Sequence, residues 1–188
     1  MADKTLNVLG ICGSLRKGSY NRMALNAAQK LLPANMKLEI FDIREIPVYD
    51  EDVRSQGYPA PVQTFRDKIK AADALLIATP EYNYSIPGVL KNAIDWASRP
   101  PEQPFDGKPL AIMGASMSLL GTARAQYHLR QVCVFLNTLP VNRPEVFIAQ
   151  AQNKFDAEGN LNDDISKGLI GDLLKSLDAW TRRLQAGG

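Results

Sequence analysis

Apolar positions along the chain alternate between two rhythms. Leu6 with Val8 and Ile11, Leu38-Glu39-Ile40-Phe41, the run Asp73 to Thr79, the run Lys108 to Gly114, and Val146-Phe147-Ile148 are short and apolar, and read as five strands. Between them apolar residues recur at helical spacing. Asn21 to Leu32 carries Ala24, Ala27, Ala28 and Leu31, small residues that let a helix lie close to a sheet, and Val62 to Ala72 carries Val62, Phe65 and Ile69. A third helix, with Ser85 as its N-cap and Pro87 in its first turn, places Ile86, Val89, Leu90, Ala93, Ile94 and Ala97 on one stripe. Thr122 to Asn137 puts Ala125, Leu129, Val132, Cys133 and Leu136 on one face, while Tyr127, Val134 and Phe135 spread beyond it and suggest a subunit contact. The last helix is capped by Asn162, Asp163 and Asp164, places Ile165, Leu169, Leu173, Leu177, Trp180 and Leu184 at regular spacing, and frays only at Ala186-Gly187-Gly188. Asp42 to Pro61 has no period and reads as a long surface loop.

Strand and helix alternate without repeat or linker, which predicts one domain over residues 1–188. The fold class is α/β, a doubly wound five-stranded parallel sheet with helices on both faces. In the order 2-1-3-4-5 the crevice lies between the first and third strands. The loops after strands one, three and four then share the carboxyl edge.

The first of these loops is Gly10-Ile11-Cys12-Gly13-Ser14-Leu15-Arg16-Lys17-Gly18-Ser19-Tyr20-Asn21, joining a strand to a helix N-terminus. Unpaired backbone N–H groups and the helix dipole favour an anion there. Gly13 and Gly18 allow tight backbone, Ser14, Ser19 and Asn21 offer neutral donors, and Arg16 offers a forked cationic one. Gly13 and Gly18 have Walker A spacing, but Ser19 stands where the phosphate-binding Lys belongs, which disfavours triphosphate hydrolysis. Nor does the stretch match G-x-G-x-x-G. A terminal monophosphate remains, against the alternative of a Gly/Ser-rich turn whose Ser or Asn only caps a helix.

The loop Pro80-Glu81-Tyr82-Asn83-Tyr84 combines two aromatics, an amide and accessible backbone, which suits a flat heterocycle such as a flavin. FMN also carries the monophosphate that the first loop accommodates. Glu81 reads more readily as a structural carboxylate beside a helix N-terminus than as a general base, and Tyr82 and Tyr84 equally suit ordinary packing. His128 stands among Arg124 and Arg130 without a partner ligand and reads as structural or interfacial.

The composition narrows the field. Of 188 residues 45% are hydrophobic and 22% charged, and a formal charge of +2 with scattered Lys and Arg argues against nucleic-acid and membrane surfaces. No run approaches a membrane span and no signal peptide is evident, so a cytoplasmic location is expected. Cys12 and Cys133, far apart, read as buried thiols, and one His without Cys-x-x-Cys argues against zinc and any other metal.

Three stretches together resemble the NADPH-dependent FMN reductases of the flavodoxin-like fold, particularly the bacterial quinone and chromate reductase branch. They are Gly13 to Asn21, Thr79 to Trp96 (Thr-Pro-Glu-Tyr-Asn-Tyr-Ser-Ile-Pro-Gly-Val-Leu-Lys-Asn-Ala-Ile-Asp-Trp) and Arg124 to Gln131, and the likeness covers nearly the whole chain. The resemblance implies FMN phosphate on Ser14, Arg16, Gly18, Ser19, Tyr20 and Asn21. It implies the isoalloxazine ring beside Pro80, Glu81, Tyr82, Asn83 and Tyr84, with Ser116 closing the site from the third loop. It further implies NAD(P)H as electron donor, a quinone-like acceptor with chromate, azo compounds and free flavin as relatives, ping-pong turnover, and a homodimer or homotetramer. No catalytic side chain is required, because the flavin N5 carries hydride transfer. The third loop departs from the family, with Met117-Ser118-Leu119-Leu120 before Gly121 and Thr122 in place of a common second Gly. That difference bears on acceptor preference. The rival readings are a flavodoxin-like electron carrier without dehydrogenase activity, whose relatives are strongly acidic, and a receiver module, whose acidic cluster is missing at Cys12-Gly13 and Thr79-Pro80.

Overall fold

The computed structural model describes residues 4–187. Strand β1 (Leu6–Cys12) lies between β2 (Met36–Phe41) and β3 (Ala74–Ala78), with β4 (Pro109–Ala115) beyond β3 and every pair parallel. The register sets Cys12 beside Ala78 and Ala78 beside Met113, so β1 and β3 end level and β4 runs two residues further. That is what brings their loops together.

The fifth position in the order is shared between two short segments. Strand β5 (Leu139–Pro140), absent from the sequence reading, pairs with Pro109 and Leu110 at the start of β4, and β6 (Val146–Ile148) pairs with Met113 to Ala115 at its end. Pro140 and Pro144 have no N–H to donate, so one continuous ladder along β4 is interrupted.

Helices α1 (Tyr20–Lys30) and α6 (Asp164–Ala186) cover one face of the sheet. Helices α3 (Ala60–Ala71), α4 (Gly88–Ala97) and α5 (Ala123–Leu136) cover the other. Leu6, Val8, Leu76 and Met113 point into the first core with Leu25 and Leu173, while Leu9, Ile11, Leu75, Ile77 and Ile112 point into the second with Phe65, Leu90 and Leu129. Burial on both faces is why these strands read as nearly unbroken apolar runs.

Several local expectations are corrected. The segment read as loop contains a short helix, α2 (Glu51–Ser55), started by Asp50 accepting from the Asp52 N–H at 2.8 Å; five residues are too few to show a period. Helix α4 has Pro87, not Ser85, at its N-cap, and Val89 faces outward while Trp96 is buried and donates Nε1–H to the Pro47 carbonyl at 2.9 Å. Helix α6 is rotated relative to the expected stripe: Ile165 is exposed and Ile170 and Leu174 are buried beside Leu173 and Leu177. Its cap is Asp163, which accepts from the Ser166 N–H at 2.9 Å. The helix continues through Ala186 to Gly187 at its C-cap, and Gly188 lies outside the described residues. Among the described residues no helix is long and apolar enough to cross a membrane.

One close approach sets the floor beneath the loops. A Cβ at Gly114 would overlap Thr122 Oγ1 and the Thr79 carbonyl oxygen and stand 2.9 Å from Thr122 Cβ. Gly114→Ala is therefore expected to lower stability by about 1–3 kcal/mol, as overpacking does, with a reduced urea midpoint. Adding Thr122→Ala should not restore it, because the Thr79 carbonyl is backbone. An unchanged midpoint in the single variant would show that β4 shifts freely.

Candidate active site at the carboxyl edge

The loops after β1, β3 and β4 enclose one cleft of about 210 Å³. Ser14, Arg16, Ser19, Tyr20, Asn21, Pro80, Glu81, Tyr82 and Ser116 line it together with Ala115 and Met117; Gly18, Asn83 and Tyr84 do not. A larger hollow, about 380 Å³ between Pro140 to Asn142 and α6, lies at the lateral edge of the sheet, away from these loops.

The first loop is a strand-to-helix turn closed on itself. Gly13 donates its N–H to the Ala78 carbonyl at 2.8 Å, and a Cβ there would stand 3.2 Å from both Leu90 and Pro80, so glycine lets the first and second loops touch. Gly18 has no such constraint: its nearest foreign atom is 3.7 Å from a built Cβ and its φ is not left-handed. Ser19 is the N-cap of α1, its Oγ accepting from the Arg22 N–H at 3.4 Å. The N–H groups of Tyr20 and Asn21 in the first turn have no partner among the described residues, as the opening amides of a helix do not. Arg16 is exposed, 5.9 Å above the Tyr20 ring, and forms no carboxylate pair among the described residues. Beneath the loop, burial pushes the Cys12 thiol up from its ordinary range, and its Sγ–H donates to the Ser14 carbonyl at 3.4 Å.

Asn21 does something its residue type did not disclose. Its Nδ2 donates to the Ala115 carbonyl and its Oδ1 accepts from the Ala115 N–H, both at 2.9 Å, across 94 positions of sequence. The buried amide fastens α1 to the end of β4, and its carbonyl oxygen is committed to that bond.

The Glu81 carboxylate is the anchor of the second loop. Oε2 accepts from the backbone N–H groups of Arg124 at 3.0 Å and Ala125 at 3.2 Å, and Oε1 accepts from Arg124 Nε at 2.6 Å. Thr122, the residue at the N-cap of α5, makes no side-chain cap, so a carboxylate from another loop caps that helix. The structural reading of Glu81 is the one the geometry supports. Tyr82 and Ser85 then exchange two backbone bonds, 3.0 and 2.9 Å, around Asn83 (φ 50°) and Tyr84 (φ 67°). Two left-handed residues in succession are what a type I′ turn requires; Asn tolerates this, and Tyr does so at a cost on the order of 1–3 kcal/mol. Opposing that cost, the Arg124 guanidinium lies 3.6 Å from the Tyr84 ring centroid and Ser85 Oγ meets His128 Nδ1 at 3.0 Å. His128 thus has a partner within the chain, Ser85. Arg124 stood in the sequence only as the start of the Arg124 to Gln131 stretch, with no role of its own; its partner Glu81 lies 43 positions earlier.

Glu81→Ala should destabilise the fold by about 1.5–3 kcal/mol, because charged-group hydrogen bonds are lost and two helix N–H groups lose their acceptor. Only 6% of the Glu81 side chain is exposed, so solvent replaces little of this. Hydrogen exchange should quicken in the first turn of α5. Unaltered exchange there would mean that α5 is held by its packing alone.

The profile of a family described as NADPH-dependent FMN reductase matches residues 6–153. An NAD(P)H-dependent FMN reductase of Pseudomonas aeruginosa is 62% identical over 180 residues, covering 96% of this chain and 97% of that protein. A quinone reductase of Escherichia coli is 45% identical over 187 residues, covering 98% of each. The solved structure of FerB, a flavoenzyme NAD(P)H:(acceptor) oxidoreductase of Paracoccus denitrificans, superposes with a TM-score of 0.86 at 33% identity, covering 95% of this chain and 98% of that one. With the parallel sheet in flavodoxin-like order and the three loops at one cleft, these likenesses identify the chain as a member of the NADPH-dependent FMN reductase family.

Proposed function

We propose that this protein is an FMN-dependent NAD(P)H oxidoreductase whose acceptor is a quinone. The observation that carries the reading is the two-ended cleft: hydroxyls, free helix N–H groups and an unpaired Arg at the β1 end, and Pro80, Tyr82 and Met117 at the β3 and β4 end. The donor set suits a terminal monophosphate and the other end a flat ring, as FMN requires. Relatives named quinone reductase support the acceptor class.

In this reading Arg16, Ser14 and the first-turn amides of α1 hold the phosphate. Backbone of the Glu81 to Tyr84 loop, kept in place by Glu81 and Arg124, would meet the ring edge, and Ser116 borders the site. Bound FMN supplies the hydride acceptor and donor. The chain contributes orientation and exclusion of water. Overall, NAD(P)H loses a hydride, and with one proton from solvent the quinone becomes a hydroquinone. Steady NAD(P)H oxidation with quinone separates this enzyme from an electron carrier, which would show none.

The same proposal gives the chain a partner and a place. Tyr127, Val134 and Phe135 on α5 are 54, 81 and 77% exposed, an apolar stripe that a second copy covers in a dimer or tetramer. The single-domain chain works in the cytoplasm, where its free, buried Cys12 and Cys133 stay reduced.

Arg16→Ala is expected to weaken FMN about tenfold or more, since a charged donor to phosphate contributes roughly 1.5–3 kcal/mol, while leaving the unfolding midpoint in place. Ser19→Ala should instead lower stability by about 1 kcal/mol through loss of the cap. FMN titration and urea unfolding check the pair; equal FMN affinity in wild type and Arg16→Ala would remove the phosphate role. Separately, Tyr127→Glu should dissociate the oligomer in light scattering. A monomeric wild type at micromolar concentration would refute the α5 contact.

A further inference from the structure

The loop after β4 turns the usual arrangement of a surface loop inside out. Ser116 Oγ accepts from the Ser118 N–H at 3.1 Å and donates to Ser118 Oγ at 3.2 Å, and Ser118 Oγ donates to the Gly121 carbonyl at 3.1 Å. The backbone is tied behind: the Ser116 N–H donates to the Ile148 carbonyl, the Gln150 N–H to the Ser118 carbonyl and the Ala151 N–H to the Ser116 carbonyl, at 3.0, 3.1 and 3.0 Å. Polar groups face each other while Met117, Leu119 and Leu120 stand 58, 78 and 56% exposed. Large apolar side chains held outward by a well-bonded loop mark a surface meant to be covered.

Of the three, Met117 alone lines the cleft. Met117 lines the cleft with Pro80 and Tyr82, and the sheet order sets its loop next to the β3 loop. We infer that Met117, which lines the cleft with Tyr82, is the specificity-determining contact for the acceptor and selects flat two-ring quinones over single-ring quinones and small oxyanions. This rests on the quinone-reductase reading above. An unbranched thioether with three rotatable bonds adapts to the edge of a ring system and makes sulfur–aromatic contacts. An oxyanion has no apolar area to cover Met117, and it finds no free hydroxyl on this loop, because the Ser116 and Ser118 protons are already donated.

The test uses FMN holoenzyme, first reduced by NADPH and then mixed in stopped flow with 2-methyl-1,4-naphthoquinone, 1,4-benzoquinone or chromate. Flavin content is measured in parallel. The preference for the two-ring quinone over each of the others should fall about tenfold in Met117→Gln, the scale of a lost apolar contact in a binding pocket. Met117→Leu should keep it within about threefold, and Leu119→Ser with Leu120→Ser should leave it as in wild type. An unchanged preference in Met117→Gln, or an equal fall in the leucine variant, overturns the assignment. Lost flavin at constant preference overturns it as well, since Met117 would then support the cofactor. A wild type whose flavin NADPH does not reduce, or no quinone reoxidises, refutes the quinone-reductase reading itself; one that turns over quinones without regard to ring area refutes only the role of Met117.

Discussion

The carboxyl edge of this sheet depends on a carboxylate borrowed by a helix. Helix α5 begins without a side-chain cap of its own, and Glu81, 43 positions earlier in the chain, receives its first amides and the Arg124 side chain together. Three donors converge on a carboxylate that is nearly shut off from water, where charge-assisted bonds are stronger than on the surface. Because the same residue begins the loop over β3, helix position and loop position cannot vary independently. The left-handed pair Asn83-Tyr84 is tolerable for this reason: its two ends are fixed by Glu81 and Ser85, and Arg124 covers the exposed ring.

A second lock works at right angles to the first. Asn21 grips both backbone groups of Ala115, so the loop after β1 and the loop after β4 are referred to each other. Gly13 and Gly114 complete the arrangement by absence: each is a place where a methyl group would press on a neighbouring loop or helix start. Preorganisation in this cleft is thus distributed over groups that need touch no substrate.

The sheet order, the position of the crevice and the loops that surround it were legible because β1, β3 and β4 are buried on both faces and carry an unmistakable apolar run. Glu81 was legible as a structural carboxylate at a helix start, but not the helix: it caps α5, 43 positions on, rather than the helix that follows its own loop. Asn21 was not legible, since an amide at a helix start reads equally as a cap, a ligand donor or a long-range fastener, and its partner lies 94 residues away. Helix α2 and strand β5 escaped because five and two residues contain less than the pattern needed to register. The face of α6 was misjudged by one position because Ile165 and Ile170 are chemically alike, and only the packing against β4 and β6 decides which turns inward.

The divided fifth position has a consequence for how this molecule behaves at high concentration. An exposed sheet edge is a template for another chain's strand, and the risk grows with its length and flatness. On this side the edge is broken into segments of two and three residues, and the Leu139 carbonyl is occupied by Trp180 Nε1–H at 2.9 Å. On the other side β2 exposes Lys37 and Glu39, the latter paired with Lys68 at 2.7 Å. One border is cut into two short segments and the other, the six-residue β2, is guarded by charged side chains, so neither invites strand-to-strand polymerisation.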